Sequence, residues 1–321
     1  MKKLTKRFFV VVLISLVGTV ANAQMGVFSS AQLQSRHMLT AWTKGTELQI
    51  SPREPEPHFD DDLRLLGGAW YSELCVACHG PHGDGNGPWA GRINPRPRDF
   101  TKGVYEFRST PTGTLPTDED LWRVISRGLH GTAMVPWLML PEYDRWALVA
   151  YIESFSPRFA HEPRAAAIIV SAPPAATPQL VEQGQKLFGD AGCIECHEAM
   201  GLGDGTSASG LVDAAGNSIR PIDFSGGVFR RGSSMADIFV TVRTGLDGTP
   251  MPSYADSLTT DQTWAVGAYV QSLISNPAVN GSTPLSDIAR KARSQERIGM
   301  MIDMPGMNRV PMCRDISDGR R

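Results

Sequence analysis

Two pentapeptides decide the reading of this chain: Cys75-Val76-Ala77-Cys78-His79 and Cys193-Ile194-Glu195-Cys196-His197. Two thiols three residues apart can form thioethers to the vinyl groups of a haem, and the adjoining histidine can turn back to ligate the iron. A single Cys-x-x-Cys pair also fits a disulfide, a zinc half-site or a thioredoxin-like redox pair. The chain has five cysteines, and Cys313 is the only one outside the two motifs. Two copies, each ending in histidine, therefore favour two covalently attached haem c groups.

Covalent haem attachment calls for export, and the amino terminus carries the matching signal. Lys2, Lys3, Lys6 and Arg7 precede an apolar run from Phe8 to about Val20, and Ala21-Asn22-Ala23 has the form of a cleavage site. Residues 1–23 are expected to be a signal peptide, with the mature chain starting near Gln24. The run is short for a membrane span, which needs roughly 20 apolar residues, and an uncleaved anchor is the alternative. The expected location is the periplasm, soluble or peripherally attached to a membrane complex. Of 31 Lys and Arg, the four in the leader leave 27 against 33 Asp and Glu. That balance gives no basic face for nucleic acid.

The chain repeats itself. Cys75 and Cys193 are 118 residues apart, as are Trp146 and Trp264, and Tyr151 and Tyr269. Arg96-Pro97-Arg98-Asp99-Phe100 echoes Arg220-Pro221-Ile222-Asp223-Phe224, and Gly128-Leu129-His130-Gly131-Thr132-Ala133-Met134 echoes Gly245-Leu246-Asp247-Gly248-Thr249-Pro250-Met251. Self-similarity of this kind marks a duplicated unit. Gly83-Asp84-Gly85 is matched with Gly203-Asp204-Gly205. The expected organisation is an amino-terminal extension (24–61), a first haem domain (62–156), a Pro- and Ala-rich linker (157–177), a second haem domain (178–275) and a Met-rich tail (276–321).

Helices are expected at 62–74 and 178–191 before the motifs, at about 117–127 and 234–244, and at 142–155 and 261–274, the last pair each with one inward face. Long strands are not evident, so the fold class is all-α. Met134 and Met251 fall 59 and 58 residues after the first cysteine of their motifs, in matched loops. A thioether is a weak neutral ligand that raises the potential of the iron relative to histidine. The iron ligands expected are thus His79 with Met134 and His197 with Met251. His130, His82, Met139 and Met200 are weaker alternatives. Arg96 and Arg220 are candidates for haem propionates, against a plain surface role, while Trp146 and Trp264 read as core anchors.

This pattern resembles the class I cytochrome c family in a tandem, two-domain form, over roughly residues 62–155 and 178–275. In that family the cysteines hold haem, histidine and methionine coordinate iron, and an exposed haem edge meets redox partners. The resemblance implies electron transfer between a redox donor and an acceptor, with respiratory function and no substrate turned over at either haem. The long insert before each methionine, the linker and the tail depart from a minimal member. Two other readings stand beside it: a dihaem peroxidase or other haem oxidoreductase with one opened iron, and a fixed subunit of a membrane oxidoreductase or multiprotein complex. Cys313 is read as a buried thiol or a link to a partner chain.

Overall fold

Four helix starts are written in their capping residues. Asp60, Thr117, Thr177 and Ser234 each accept a hydrogen bond from the backbone amide three residues on, at 2.8, 3.1, 3.2 and 3.1 Å. At Thr117 the box closes in both directions, because Asp120 accepts the Thr117 amide at 3.0 Å. Aspartate therefore does here what glutamate or glutamine usually does in this motif. In the computed structural model these caps open α1 (Asp61–Leu74), α3 (Asp118–Arg127), α6 (Pro178–Asp190) and α8 (Met235–Thr244). Single helical turns α2 (Val76–His79) and α7 (Ile194–His197) carry the cysteine motifs, and α4 (Glu142–Glu153) and α9 (Thr260–Ile274) end the two halves. A further turn, α5 (Arg158–His161), lies between the halves.

The structure describes residues 50–274. The leader, most of the amino-terminal extension, the Met-rich tail and Cys313 lie outside the described residues. Among the described residues the fold is all-α, with one isolated antiparallel bridge between Val212 and Ser218. No helix there is long and apolar enough to cross a membrane.

The two halves share one packing plan. In each, the helix ahead of the cysteine motif crosses the closing helix, α1 over α4 and α6 over α9. The crossing is tight because a glycine sits at it. A Cβ on Gly67 would stand 1.9 Å from the Ala147 carbonyl oxygen, and one on Gly184 would stand 1.9 Å from that of Ala265. Trp122 stacks on Trp146 with centroids 5.5 Å apart, and Phe239 stacks on Trp264 at 4.2 Å, so both tryptophans are core anchors. The closing helices are buried more widely than the inward face expected of them. Arg145 through Ala150 and Thr263 through Val270 are buried without a break. Each closing helix is covered on more than one side, by the amino-terminal helix of its half and by α3 or α8.

The halves meet through Arg108, which is fully buried. Its guanidinium donates to Asp247 Oδ1 and to the Thr244 carbonyl, both at 2.7 Å across the interface, and to the Tyr105 carbonyl at 3.2 Å. Asp247 also accepts from Thr112 Oγ1 at 2.7 Å and the Gly113 amide at 2.8 Å. Arg231 returns a hydrogen bond to the Arg108 carbonyl.

The linker is stitched to both halves. Arg158 donates to the Gly103 and Gly113 carbonyls, and the Ile168 amide to the Ser109 carbonyl at 2.7 Å. On the other side Ile168 packs against the Met235, Phe239 and Trp264 cluster, and Ser171 accepts from Trp264 Nε1 at 3.1 Å. Ile169 points to solvent. Arg164 pairs with Glu153 at 2.5 Å and Asp118 at 2.7 Å. Burial first, and then the Asp118 charge, push the Glu153 carboxyl up to about 8. With the folded value above the unfolded one, the native state binds more protons between about pH 4.5 and 8, so stability falls as pH rises through that window. Thermal midpoints are expected to drop from pH 5 to pH 8, and Glu153→Gln is expected to flatten that slope. An unchanged slope in the variant would rule Glu153 out as the group responsible.

Candidate functional site

One helical turn suffices to gather the motif. The His79 amide donates to the Cys75 carbonyl at 2.8 Å and the His197 amide to that of Cys193 at 2.9 Å. Residues at i, i+3 and i+4 of such a turn share a face, so both thiols and the imidazole leave from one side. The four motif cysteines are free thiols, at odds with the disulfide reading. Burial pushes the Cys75 thiol up to about 12 and also raises Cys78 and Cys193. A thioredoxin-like pair has a lowered thiol instead. The zinc half-site reading finds no completing ligands among the described residues.

Two devices serve the imidazoles, and the first of them is the same in both halves. His79 stacks on Phe100 with centroids 4.5 Å apart and planes at 17°, and His197 on Phe224 at 4.6 Å and 18°. Each phenylalanine opens a 3₁₀ turn capped by the preceding aspartate, Asp99 or Asp223, whose side chain accepts an amide at 2.9 Å. Each also donates its own amide to the Gly83 or Gly201 carbonyl at 2.7 Å. The second device is a backbone carbonyl facing Nδ1: Arg98 O stands 3.2 Å from His79 Nδ1. In the tautomer protonated at Nδ1, that contact leaves the Nε2 lone pair free for a metal. In the second half His197 Nδ1 is buried with no hydrogen bond of normal geometry, and the Ile222 carbonyl, the counterpart of Arg98, is the backbone group that acts on it. Burial pushes both imidazoles down to about 4, which keeps them neutral as ligation requires.

These bonds also correct the loop register. The Gly85 and Gly203 amides donate to the carbonyls of His79 and His197, and the Gly87 and Gly205 amides to those of Cys78 and Cys196. Gly83-Asp84-Gly85 is thus the counterpart of Gly201-Leu202-Gly203, two residues earlier than the letter-for-letter match to Gly203-Asp204-Gly205.

The methionine loops are built alike. Leu129 donates to the Met134 carbonyl at 2.8 Å and Leu246 to that of Met251 at 3.0 Å. The Met134 and Met251 amides donate to Thr132 and Thr249 hydroxyls at 3.0 and 3.1 Å. In the second half Cys193, Cys196, His197 and Met251 all line one cavity of about 830 Å³, with Phe188, Phe224 and Val266 among its apolar walls. A cavity of that size with a few convergent ligands suits a large flat cofactor. The residues present fit a haem, which His197 and Met251 would ligate and the two thiols would anchor. Arg96 and Arg220 reach the same cavity. Of the weaker alternatives, His82 is exposed, Met139 and Met200 are 46% and 37% exposed, and His130 is half-buried.

The stacking phenylalanines and the Arg108–Asp247 contact were not singled out by the sequence reading. The repeated Arg-Pro-x-Asp-Phe string was the available signal for the first; for the second there was none.

The comparisons agree with this geometry. Residues 181–273 match the family model described as cytochrome c, and residues 65–152 match that of cytochrome c oxidase, cbb3-type, subunit III. A solved chain from the reducing HAO-like protein complex of Kuenenia stuttgartiensis is 40% identical, with a TM-score of 0.64, over 65% of this chain and 96% of that one. No curated protein matches the chain. A cytochrome model on each half, and a relative covered almost end to end, show that the chain belongs to the cytochrome c family: it is a two-domain, all-α, haem-binding electron-transfer protein related to class I cytochromes c and to the dihaem cytochromes associated with cbb3-type oxidases.

Proposed function

We propose that the chain is a periplasmic dihaem cytochrome c that passes electrons between redox partners as a subunit of a respiratory oxidoreductase complex. Two tandem class I domains, residues 62–156 and 178–275, each hold one covalent haem c. Cys75 and Cys78 anchor the first, with His79 and Met134 as its iron ligands. Cys193 and Cys196 anchor the second, with His197 and Met251. The observation that carries this reading is the doubled geometry: each histidine is stacked on a phenylalanine at nearly the same distance and angle, and the two methionine turns carry the same hydrogen bonds.

Haem supplies one-electron ferric/ferrous chemistry when bound. The protein's own part is to keep the imidazoles neutral and oriented, to keep the thiols unpaired for attachment, and to shut water out with aromatic and aliphatic walls. The subunit role draws on the relative found in a reducing HAO-like protein complex and on the oxidase-subunit model matching the first half. Residues 1–23 are proposed to be the export leader and 157–177 the strap between domains.

A redox titration of the haem-loaded protein, followed optically and by magnetic resonance, tests this. Two one-electron couples with low-spin histidine–methionine signatures are expected. A high-spin or five-coordinate centre in the resting protein would overturn the closed-site reading and favour the peroxidase alternative.

A further inference from the structure

The cavity of the second half is not closed by the second half alone. Its wall includes Arg96, Pro97, Arg98, Lys102, Val104 and Glu106 from the first half, facing His197 and Met251. Arg98 occupies a singular position among them. Its carbonyl backs His79 Nδ1, while its guanidinium reaches the other half, with Nη1 3.4 Å from where a Cβ on Gly248 would stand, three residues ahead of Met251. One residue thus touches the histidine of the first site through its backbone and walls the second site with its side chain.

The charges in that cavity are unevenly committed. Asp84, Asp99 and Asp213 spend oxygens on turns of their own loops, accepting from Asn86, Thr101 and Ala215 amides at 3.1, 2.9 and 2.9 Å. Glu106 pairs with Arg98 and stands 3.8 Å from Arg230. Arg231 also lines the cavity, and its Nε is buried with no hydrogen-bond partner. Burying such a donor without an acceptor is costly, and the natural complement is an anion. Asp120 and Asp237 act on Arg231 by charge, yet its Nε keeps no acceptor, so the cavity offers that donor, with the Arg98 guanidinium also in its wall, to a negative group.

We propose that Arg98 of the first half and Arg231 of the second receive the carboxylate edge of the haem in the second half, so that this site is completed from across the domain boundary. The inference rests on the dihaem reading and adds to it a positioning residue that sets the second potential. A cation beside the cofactor disfavours the more positive ferric state. Its removal should lower the potential of the second couple and leave the first in place, because Arg98→Gln keeps the backbone carbonyl that holds His79.

The test is an optical redox titration of the haem-loaded parent, Arg98→Gln and Arg98→Lys, with haem per chain measured on each. The couples are assigned in a Met134→His background, which displaces the first couple and leaves the second readable. Arg98→Gln is expected to shift the second ferric/ferrous balance about tenfold toward ferric, or about 59 mV downward for a one-electron couple. Arg98→Lys is expected to recover most of the shift. Two haems per chain with an unmoved second couple in Arg98→Gln, or an equal fall of both couples, would overturn the inference while leaving the dihaem reading intact. One haem per chain in the parent would overturn both.

Discussion

Replacing Cys193 and Cys196 together by alanine is expected to take the protein from two covalent haems to one and to erase the second redox couple. The two thiols leave one face of α7 beside His197 and line the same cavity as Met251. Without thioether bonds a haem there would depend on two axial ligands alone and would wash out on denaturation. The first half shares none of these residues, so its couple should stay close to its parent position. The loss also leaves open a cavity of about 830 Å³ whose walls in the second half include Phe188, Phe224 and Val266. That half should then melt ahead of the first. Haem assay after acid–acetone extraction reads the outcome, and full retention of both haems would contradict it.

The second large effect is expected at Asp247. Asp247→Ala leaves the fully buried Arg108 guanidinium with carbonyl oxygens as its only acceptors. Removing one partner of a buried pair costs about 3–5 kcal/mol, because the remaining charge stays buried and uncompensated. The Asp247 carboxylate is 16% exposed, which admits some water and points to the lower end of that range. The Thr112 and Gly113 donors lose their acceptor in the same step. All these bonds tie the turn carrying Met251 to the first half, so methionine ligation at the second site should weaken along with stability. Denaturation of the haem-loaded variant measures this. Arg108→Met combined with Asp247→Leu should cost less than Asp247→Ala alone, since no charge is then stranded. A loss below about 1 kcal/mol for Asp247→Ala would show that the pair does not hold the halves together.

What the sequence made legible was what the chain encodes over short spans. The cysteine motifs and the methionine turns are contiguous, and their chemistry needs only near neighbours. The histidine supports were half legible: Asp99-Phe100 and Asp223-Phe224 stood out as a repeat, but the stacking against His79 and His197 depends on loops folding back across 21 and 27 residues. The glycine loop was misaligned because Gly-Asp-Gly occurs in both halves at a two-residue offset, while amide bonds to His79 and His197 fix the true match. Arg108 and Asp247 are 139 residues apart, and nothing local in either neighbourhood announces the other. Gly67 and Gly184 are of the same kind, since the need for a missing Cβ appears only when two helices cross. The cross-domain wall of the second cavity follows from how the halves dock, a property of surfaces that no periodicity reports.

The central claim is that each half of this chain binds one haem covalently. Intact-mass spectrometry of the denatured protein, produced in a host that attaches haem c, tests it most directly. The account predicts a mass above that of the polypeptide by two haems, with one haem each on the peptides containing Cys75–Cys78 and Cys193–Cys196. A mass raised by one haem or none, or a haem released on denaturation, would contradict it.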